Sequence, residues 1–481
     1  MLISRWLRSL RSLARDTRGA SAVFVAAAII PLIGFVGLGT DAARGYLVKA
    51  RLSQALDAAG LAGAQNAHDP TMLNQDIQMF FNSNYPPGFL GSTITGPTYT
   101  YDDVNDKLTV TASANVPTTF MRVLGFQNVT VSASTEVTRK TQYLDVILAM
   151  DVSGSMGWSA GGGLTRLQAT KQSANALVGI LYGTAESKPL LKIGLVPWNS
   201  KVNVWTQGTT FSSVLTTTQA VTTFKNPVTG INQSTLYFAN NSPVPLLTWP
   251  TTQWQGCVYA RFLNDGITTN DADIIEGTLA TPQGDWIAWE PILGEGEPQP
   301  GSISCSSAPS GWECTACPSV GITPLNQSKT AITNAINGLA AGGSTNIPQG
   351  LAWAWRVLTP ATPYDQAELN PDGERVQAIV LLTDGENNGY YGDAYKGIWG
   401  AGNPQPNMDA RLLALAANVK AEGVIIYVIQ FANGGGALQA LLKQVATETG
   451  SPYYHYAPDP ASLNAVFTEI ANHLSELRLS K

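Results

Sequence analysis

Residues 146–155 read VILAMDVSGS, an apolar run that ends in Asp151-Val152-Ser153-Gly154-Ser155. A short continuous apolar stretch closed by turn-forming residues reads as a strand buried on both faces. Its carboxyl end delivers one carboxylate and two hydroxyls on a single tight turn. Hard oxygen donors on a rigid strand end suit a small hard cation such as Mg²⁺. Two later segments extend the pattern. Residues 342–347, GGSTNI, offer Thr345, and residues 376–386, VQAIVLLTDGE, form a second apolar strand that places Asp384 at its end. Asp or Ser after a strand is also a common turn former or helix cap. Three separate segments that all supply oxygen favour ion binding over that plainer role.

This trio, in this order, resembles the metal-ion-dependent adhesion site of the von Willebrand factor A (vWA) family. The resemblance spans residues 141–478. It implies that Ser153, Ser155 and Thr345 ligate a divalent ion directly, with Asp151 and Asp384 contacting it mainly through water. One position then stays open for a carboxylate from a partner. The ion implied is Mg²⁺, with Mn²⁺ or Ca²⁺ as alternatives.

The surrounding pattern agrees. YLDVILAM (143–150), LKIGLVPW (191–198), RVQAIVLLTDG (375–385), VIIYVIQFA (424–432) and SPYYHYA (451–457) read as strands. Helical segments separate them, among them 166–185, 326–341, 347–359, 408–423, 436–450 and 459–477. Such alternation predicts an α/β fold, Rossmann-like and doubly wound, with a mainly parallel sheet covered on both faces. Ligands in such sheets bind beyond the carboxyl ends of the strands, where Asp151 and Asp384 fall.

At 481 residues the chain is long for one domain. Charged residues make up 13% and apolar ones 44%, and the net charge is −6, which excludes nucleic-acid binding by overall charge. Basic residues cluster only at the start: Arg5, Arg8, Arg11, Arg15 and Arg18, against the single acid Asp16. Residues 19–40 then form an uncharged apolar run. As a helix it rises about 33 Å, enough for a hydrocarbon core of about 30 Å. The positive-inside rule assigns 1–18 to the cytoplasm and exports the rest. A cleaved secretory signal is the rival reading, but the run is long for one. The expectation is a single-pass protein of a bacterial inner membrane, with its bulk periplasmic or exported and lipid contacted through the helix.

Helical character continues through 41–66, with Leu47, Leu52, Leu56 and Leu61 expected on one face. A short helix ends at Pro86-Pro87, a Thr/Val-alternating hairpin turns near Asn105-Asp106, and 127–139 reads as a strand. Residues 41–140 thus read as a small pilin-like α+β domain. The stretch from Arg15 to Gln65 resembles the amino-terminal region of TadG-like proteins of the Tad/Flp pilus assembly system, which join it to a vWA domain. Processed type IV pilins carry a Glu five residues after the cleavage-site Gly. Here Ala-Ser-Ala-Val-Phe follows Gly19, so the expectation is a retained anchor.

Residues 200–325 break the alternation and read as an inserted lobe near the metal face. They hold all four cysteines (Cys257, Cys305, Cys314, Cys317) and six of the 12 tryptophans: Trp205, Trp249, Trp254, Trp286, Trp289 and Trp312. An even cysteine number in an exported, loop-rich stretch favours disulfides over a redox pair or half a zinc site. The tryptophans suit a compact core or a recognition surface. Asp265, Asp271, Asp273 and Asp285 suit a solvated acidic face or a further cation site.

These readings point to a binding module rather than an enzyme. Its partner would be a protein offering Asp or Glu, such as a pilus or pseudopilin component. The alternatives are a metal-dependent hydrolase and an adhesin unrelated to pili. The only histidines, His68, His455 and His473, lie outside the metal motifs.

Overall fold

The computed structural model describes residues 20–65, 67, 70–102, 107–138, 142–252, 254–264, 269–274, 286–292, 317–367, 375–388 and 405–479. The basic segment 1–18, Gly19, His68, the turn at Asn105-Asp106, Asp265, Asp285, Cys305, Trp312 and Cys314 lie outside the described residues. The chain divides into two compact units, Met1–Arg139 and Lys140–Lys481.

In the first unit, α1 (Ala20–Gln65) is one continuous helix. Its buried stripe is Val48, Leu52, Ala55, Leu56 and Ala59, all fully buried. The sequence expectation of a stripe through Leu47 and Leu61 is corrected: these are 53% and 63% exposed. Each stands five residues from the nearest buried leucine, about 140° around the helix, so neither shares its face. Helix α2 (Pro70–Asn84) starts with proline at its first position and buries Leu73, Ile77 and Phe81 beside α1. Strands β1 (Thr93–Asp102), β2 (Lys107–Pro117) and β3 (Asn128–Thr138) form an antiparallel sheet with β2 in the centre. Leu108, Val110, Ala112, Ala114 and Val116 alternate inward from β2 and join the helical stripe in one core.

The second unit is built on a six-stranded sheet. Its first strand is β4 (Tyr143–Asp151), followed by a small hairpin of β5 (Ser159–Gly161) and β6 (Leu164–Thr165), helix α3 (Arg166–Tyr182) and β7 (Leu191–Trp198). The insertion contributes β8 (Thr217–Lys225), β9 (Asn232–Phe238), β10 (Pro245–Leu246), β11 (Phe262–Asn264) and β12 (Thr269–Asp271). The chain then returns through β13 (Thr323–Asn326), α4 (Lys329–Gly338), α5 (Ile347–Leu358), β14 (Arg375–Thr383), α6 (Gln405–Ala421), β15 (Ile425–Phe431), α7 (Gly436–Val445), β16 (Tyr454–Ala457) and α8 (Pro460–Leu479). The sheet order is β13-β7-β4-β14-β15-β16, parallel except for β13.

Alternate residues of β4 serve opposite layers. Ile147 and Ala149 pack toward α5, α6 and α7, while Val146, Leu148 and Met150 pack toward α3, α4 and α8. Both faces are therefore covered, which is why the strands read as unbroken apolar runs. The chain first builds outward from β4 through β7 to β13, then crosses to the other side of β4 with β14. This reversal falls at the carboxyl ends of β4 and β14, the place where sheets of this topology form a ligand crevice.

The insertion leaves the sheet at the carboxyl end of β7 and returns at β13, which is hydrogen-bonded beside β7. Cys257 and Cys317 form a disulfide across it, with Cα atoms 5.8 Å apart. Trp254, Trp286 and Trp289 are buried, so most of the described aromatic area serves a core, though Trp249 is 43% exposed. Asp271 and Asp273 correct the sequence expectation. They form neither a solvated face nor a cation site, but pair in the interior with arginines. Asp273 accepts from Arg261 at 2.8 Å and from Arg356 of α5 at 2.5 Å, and Asp271 accepts from Arg411 of α6 at 2.7 Å. Burial pushes the Asp273 carboxyl up, but the Arg356, Arg261 and Arg411 guanidiniums more than offset that and hold it at about 2. Arg261 and Arg356 also lie over the Trp289 ring, at 4.2 and 5.0 Å from its centroid. This cluster ties the insertion to two helices of the α/β core.

Candidate metal centre

The five oxygen-bearing residues singled out by sequence converge at the crevice. Asp151 ends β4 and is fully buried. Its Oδ1 accepts the Ser153 N–H at 2.7 Å, and its Oδ2 accepts the Thr383 hydroxyl at 2.8 Å. Both carboxylate oxygens are thereby fixed, one by its own turn and one by the neighbouring strand. Ser153 Oγ and Ser155 Oγ are 3.1 Å apart, and Ser155 Oγ donates to Asp384 Oδ1 at 2.5 Å. Asp384 directly follows β14, and its side chain is fully buried.

Thr345 comes in from the loop before α5. Its carbonyl accepts the Asn388 N–H at 2.9 Å, which joins this loop to the one after β14. Its hydroxyl position is marked by Gly385. A Cβ there would lie 3.5 Å from Thr345 Oγ1 and 3.9 Å from Ser155 Oγ. Gly154 fits where a side chain would crowd the neighbouring loop: its N–H donates to Gly343 O at 2.8 Å, and a Cβ would stand 3.2 Å from that oxygen. Asn346 caps α5 through Gln349 N and orders the same loop.

Electrostatics set the character of the site. Burial, and secondarily the nearby Asp384 carboxylate, push Asp151 up to about 7. Arg166, the first residue of α3, donates from Nη1 to Asp384 Oδ2 at 2.8 Å. It is held there by a capping box in which Thr165 and Gln168 exchange hydrogen bonds. Its guanidinium lies 5.3 Å from the centroid of Trp158, which is 64% exposed.

The donor set fits a hard dication: two carboxylates and three hydroxyls, with no sulfur or imidazole among them. Cis ligands on an octahedral Mg²⁺ lie about 3 Å apart, which matches the Ser153–Ser155 oxygen spacing. A bound dication would also relieve the charge stress on Asp151.

Residue patterns missed Arg166 and Thr383. Thr383 ends β14 just before Asp384, and the parallel register of β14 with β4, which pairs Leu382 with Met150, sets it beside Asp151. Arg166 carries a capping-box signature but nothing that announces a partner 218 residues away. The described histidines stand apart: His455 Nε2 is 2.9 Å from Pro452 O, and His473 Nδ1 is 2.6 Å from the Tyr427 hydroxyl.

Two family profiles match the chain. One, the von Willebrand factor type A domain, matches residues 320–469 and so includes Thr345 and Asp384. The other, the Flp pilus-assembly TadE/G-like family, matches residues 19–66. The chain joins a TadE/G-like region to a vWA domain. The vWA match begins after the insertion, so β4 and β7 lie outside it.

Among solved structures, the vWA domain resembles the vWF domain of the type V pili tip protein Mfa5 from Porphyromonas gingivalis. Identity is 12% and the TM-score 0.37, with 71% of this chain and 98% of that one covered. The pilus adhesin SpaC from Lactobacillus rhamnosus GG gives 11% identity and a TM-score of 0.34, covering 80% and 35%. Proximal thread matrix protein 1 from the mussel byssus, solved with a zinc-occupied MIDAS motif, gives 13% and 0.32, covering 70% and 47%. The chain thus spans about half the length of the mussel protein. No curated protein matches it. These likenesses are too distant to transfer a role to any residue of the vWA domain. Among the described residues, one helix is long and apolar enough to cross a membrane, and it lies near the amino terminus.

Proposed function

We propose that the protein is a membrane-anchored, extracytoplasmic component of Tad/Flp pilus assembly that grips a protein partner through a divalent cation. The observation that carries this reading is the convergence of Asp151, Ser153, Ser155, Thr345 and Asp384 from three loops on one crevice. Mg²⁺ is the favoured ion on donor chemistry, with Mn²⁺ or Ca²⁺ admissible. When bound, it supplies a Lewis-acidic position for an Asp or Glu of the partner. The Asp151 turn and the Thr383 hydroxyl preset the carboxylate, the serine pair presents two hydroxyls, and Arg166 offsets part of the charge on Asp384. Trp158, exposed beside Arg166, offers apolar area next to that position.

We read the site as binding rather than catalytic because His455 and His473 are engaged away from it. In this reading the amino-terminal helix is retained as a single-pass anchor in the inner membrane, with residues 1–18 cytoplasmic and the bulk periplasmic.

The test is photocrosslinking in intact cells from benzoylphenylalanine at Trp158. The expected result is a crosslinked protein band that is lost on chelation and lost in Ser153→Ala. A band indifferent to both treatments would contradict cation-dependent recognition. Metal-dependent phosphoester hydrolysis by the pure protein, abolished in the same variant, would favour the hydrolase.

A further inference from the structure

The loop between β2 and β3, residues 118–127, is bound to α1 at the point where its apolar run ends. The buried Asp41 carboxylate accepts three successive backbone N–H groups of this loop: Thr119 at 2.9 Å, and Phe120 and Met121 at 2.8 Å each. One turn further on, Arg44 donates to the Thr119 hydroxyl at 2.7 Å and to Leu90 O at 2.9 Å. Phe120 packs directly on Gly37, where a Cβ would stand only 2.4 Å from the Phe120 Cβ. Gly37 lies inside the apolar run, four residues before its first charged residue.

The loop nevertheless presents apolar area outward. Phe120 is 41% exposed and Phe126 59%, with Leu90 of the adjoining turn at 37%. Arg122, between the two phenylalanines, is exposed. The helix surface at the same level is apolar and exposed as well, with Phe35 at 76%, Val36 at 64% and Leu38 at 44%. Four residues of helix rise about 6 Å, so Phe120 sits about that far inside the end of the apolar run. That depth matches the 5–10 Å to which interfacial apolar groups enter a bilayer.

We infer that residues 118–127 form a membrane foot: Phe120 and Phe126 enter the interface of the leaflet from which α1 emerges, and Arg122 meets lipid phosphate. This rests on reading residues 19–40 as the membrane span. Aromatic rings at the headgroup level with a basic side chain beside them are the groups a bilayer interface favours. The Asp41 latch fixes the height of the loop, and so fixes how far the small sheet stands off the lipid.

The experiment uses the full chain in nanodiscs of phosphatidylethanolamine and phosphatidylglycerol, with benzoylphenylalanine placed in turn at Phe126, Phe35 and Leu61. Positions 35 and 126 are expected to add lipid mass on illumination, and position 61, far along α1, to add none. Lipid adducts at 35 without any at 126, or a protein adduct at 126 instead, would overturn the foot while leaving the span intact. Absence of lipid adducts at 35 would overturn the span and the foot together. Equal adducts at 61 and 126 would show the helix lying along the bilayer and would also overturn it. Asp41→Ala is expected to cut the yield at 126 several-fold and leave 35 unchanged; an unchanged yield at 126 would refute the latch.

Discussion

Ser155 Oγ donates to Asp384 Oδ1 at 2.5 Å, joining the turn after β4 to the end of β14 across 229 residues of chain. The contact bridges the ends of the two parallel strands between which the strand order reverses. Without Ser155 a buried carboxylate oxygen loses its partner, at a cost of about 1–3 kcal/mol. Ser155→Ala should therefore destabilise the chelated protein by that amount in thermal unfolding. It should also abolish the gain from added Mg²⁺. The gain expected for the wild type is about 2.7 kcal/mol at one hundred times the dissociation constant.

Proton linkage gives a second prediction. The Asp151 carboxyl is raised from its usual 3.8 to about 7 in the folded, ion-free protein. The folded state therefore holds a proton that the unfolded chain has released, and stability falls as pH rises from about 4 to 7. A cation needs the ionised carboxylate, so stabilisation by Mg²⁺ should grow across the same window. Denaturant titrations at pH 5 and pH 8, with chelator and with Mg²⁺, read both slopes. Asp151→Asn should flatten the chelated profile.

Arg166 already neutralises part of the charge on Asp384 from 2.8 Å. Removing the guanidinium leaves a more negative crevice. Arg166→Ala should bind Mn²⁺ more tightly than the wild type in direct titration, by about tenfold if the charge it removes is worth about 1.4 kcal/mol. Unchanged or weaker binding would mean that Arg166 chiefly positions Asp384.

Asp273 carries the buried arginine cluster. Breaking one partner of a buried ion pair costs about 3–5 kcal/mol, since it strands the opposite charge. Asp273→Ala should lose stability on that scale in urea, with hydrogen-exchange protection falling first in the insertion and along α5. An effect below 1 kcal/mol would show that the cluster is not what docks the insertion.

That the five oxygen-bearing residues come together was legible because they lie at the ends of apolar strands or just before a helix, and because oxygen-bearing turns at strand ends are local features. The strand alternation carried the sheet for the same reason. What was not legible depended on distant partners. Asp271 and Asp273 look like a solvated acidic face until Arg261, just before β11, is joined by Arg356 of α5 and Arg411 of α6. Leu47 and Leu61 are apolar like their neighbours, yet five-residue steps from Leu52 and Leu56 rotate them off the buried stripe. Cysteine spacing admitted several pairings; the Cys257–Cys317 bond depends on how the insertion folds back on itself.

The most direct test of the central claim is Mn²⁺ titration of the full chain in detergent, followed by electron paramagnetic resonance, for the wild type and Ser153→Ala. The account predicts one saturable site per chain that Mg²⁺ displaces, and its loss in the variant. No bound Mn²⁺ in the wild type, or the same binding in both proteins, would contradict it.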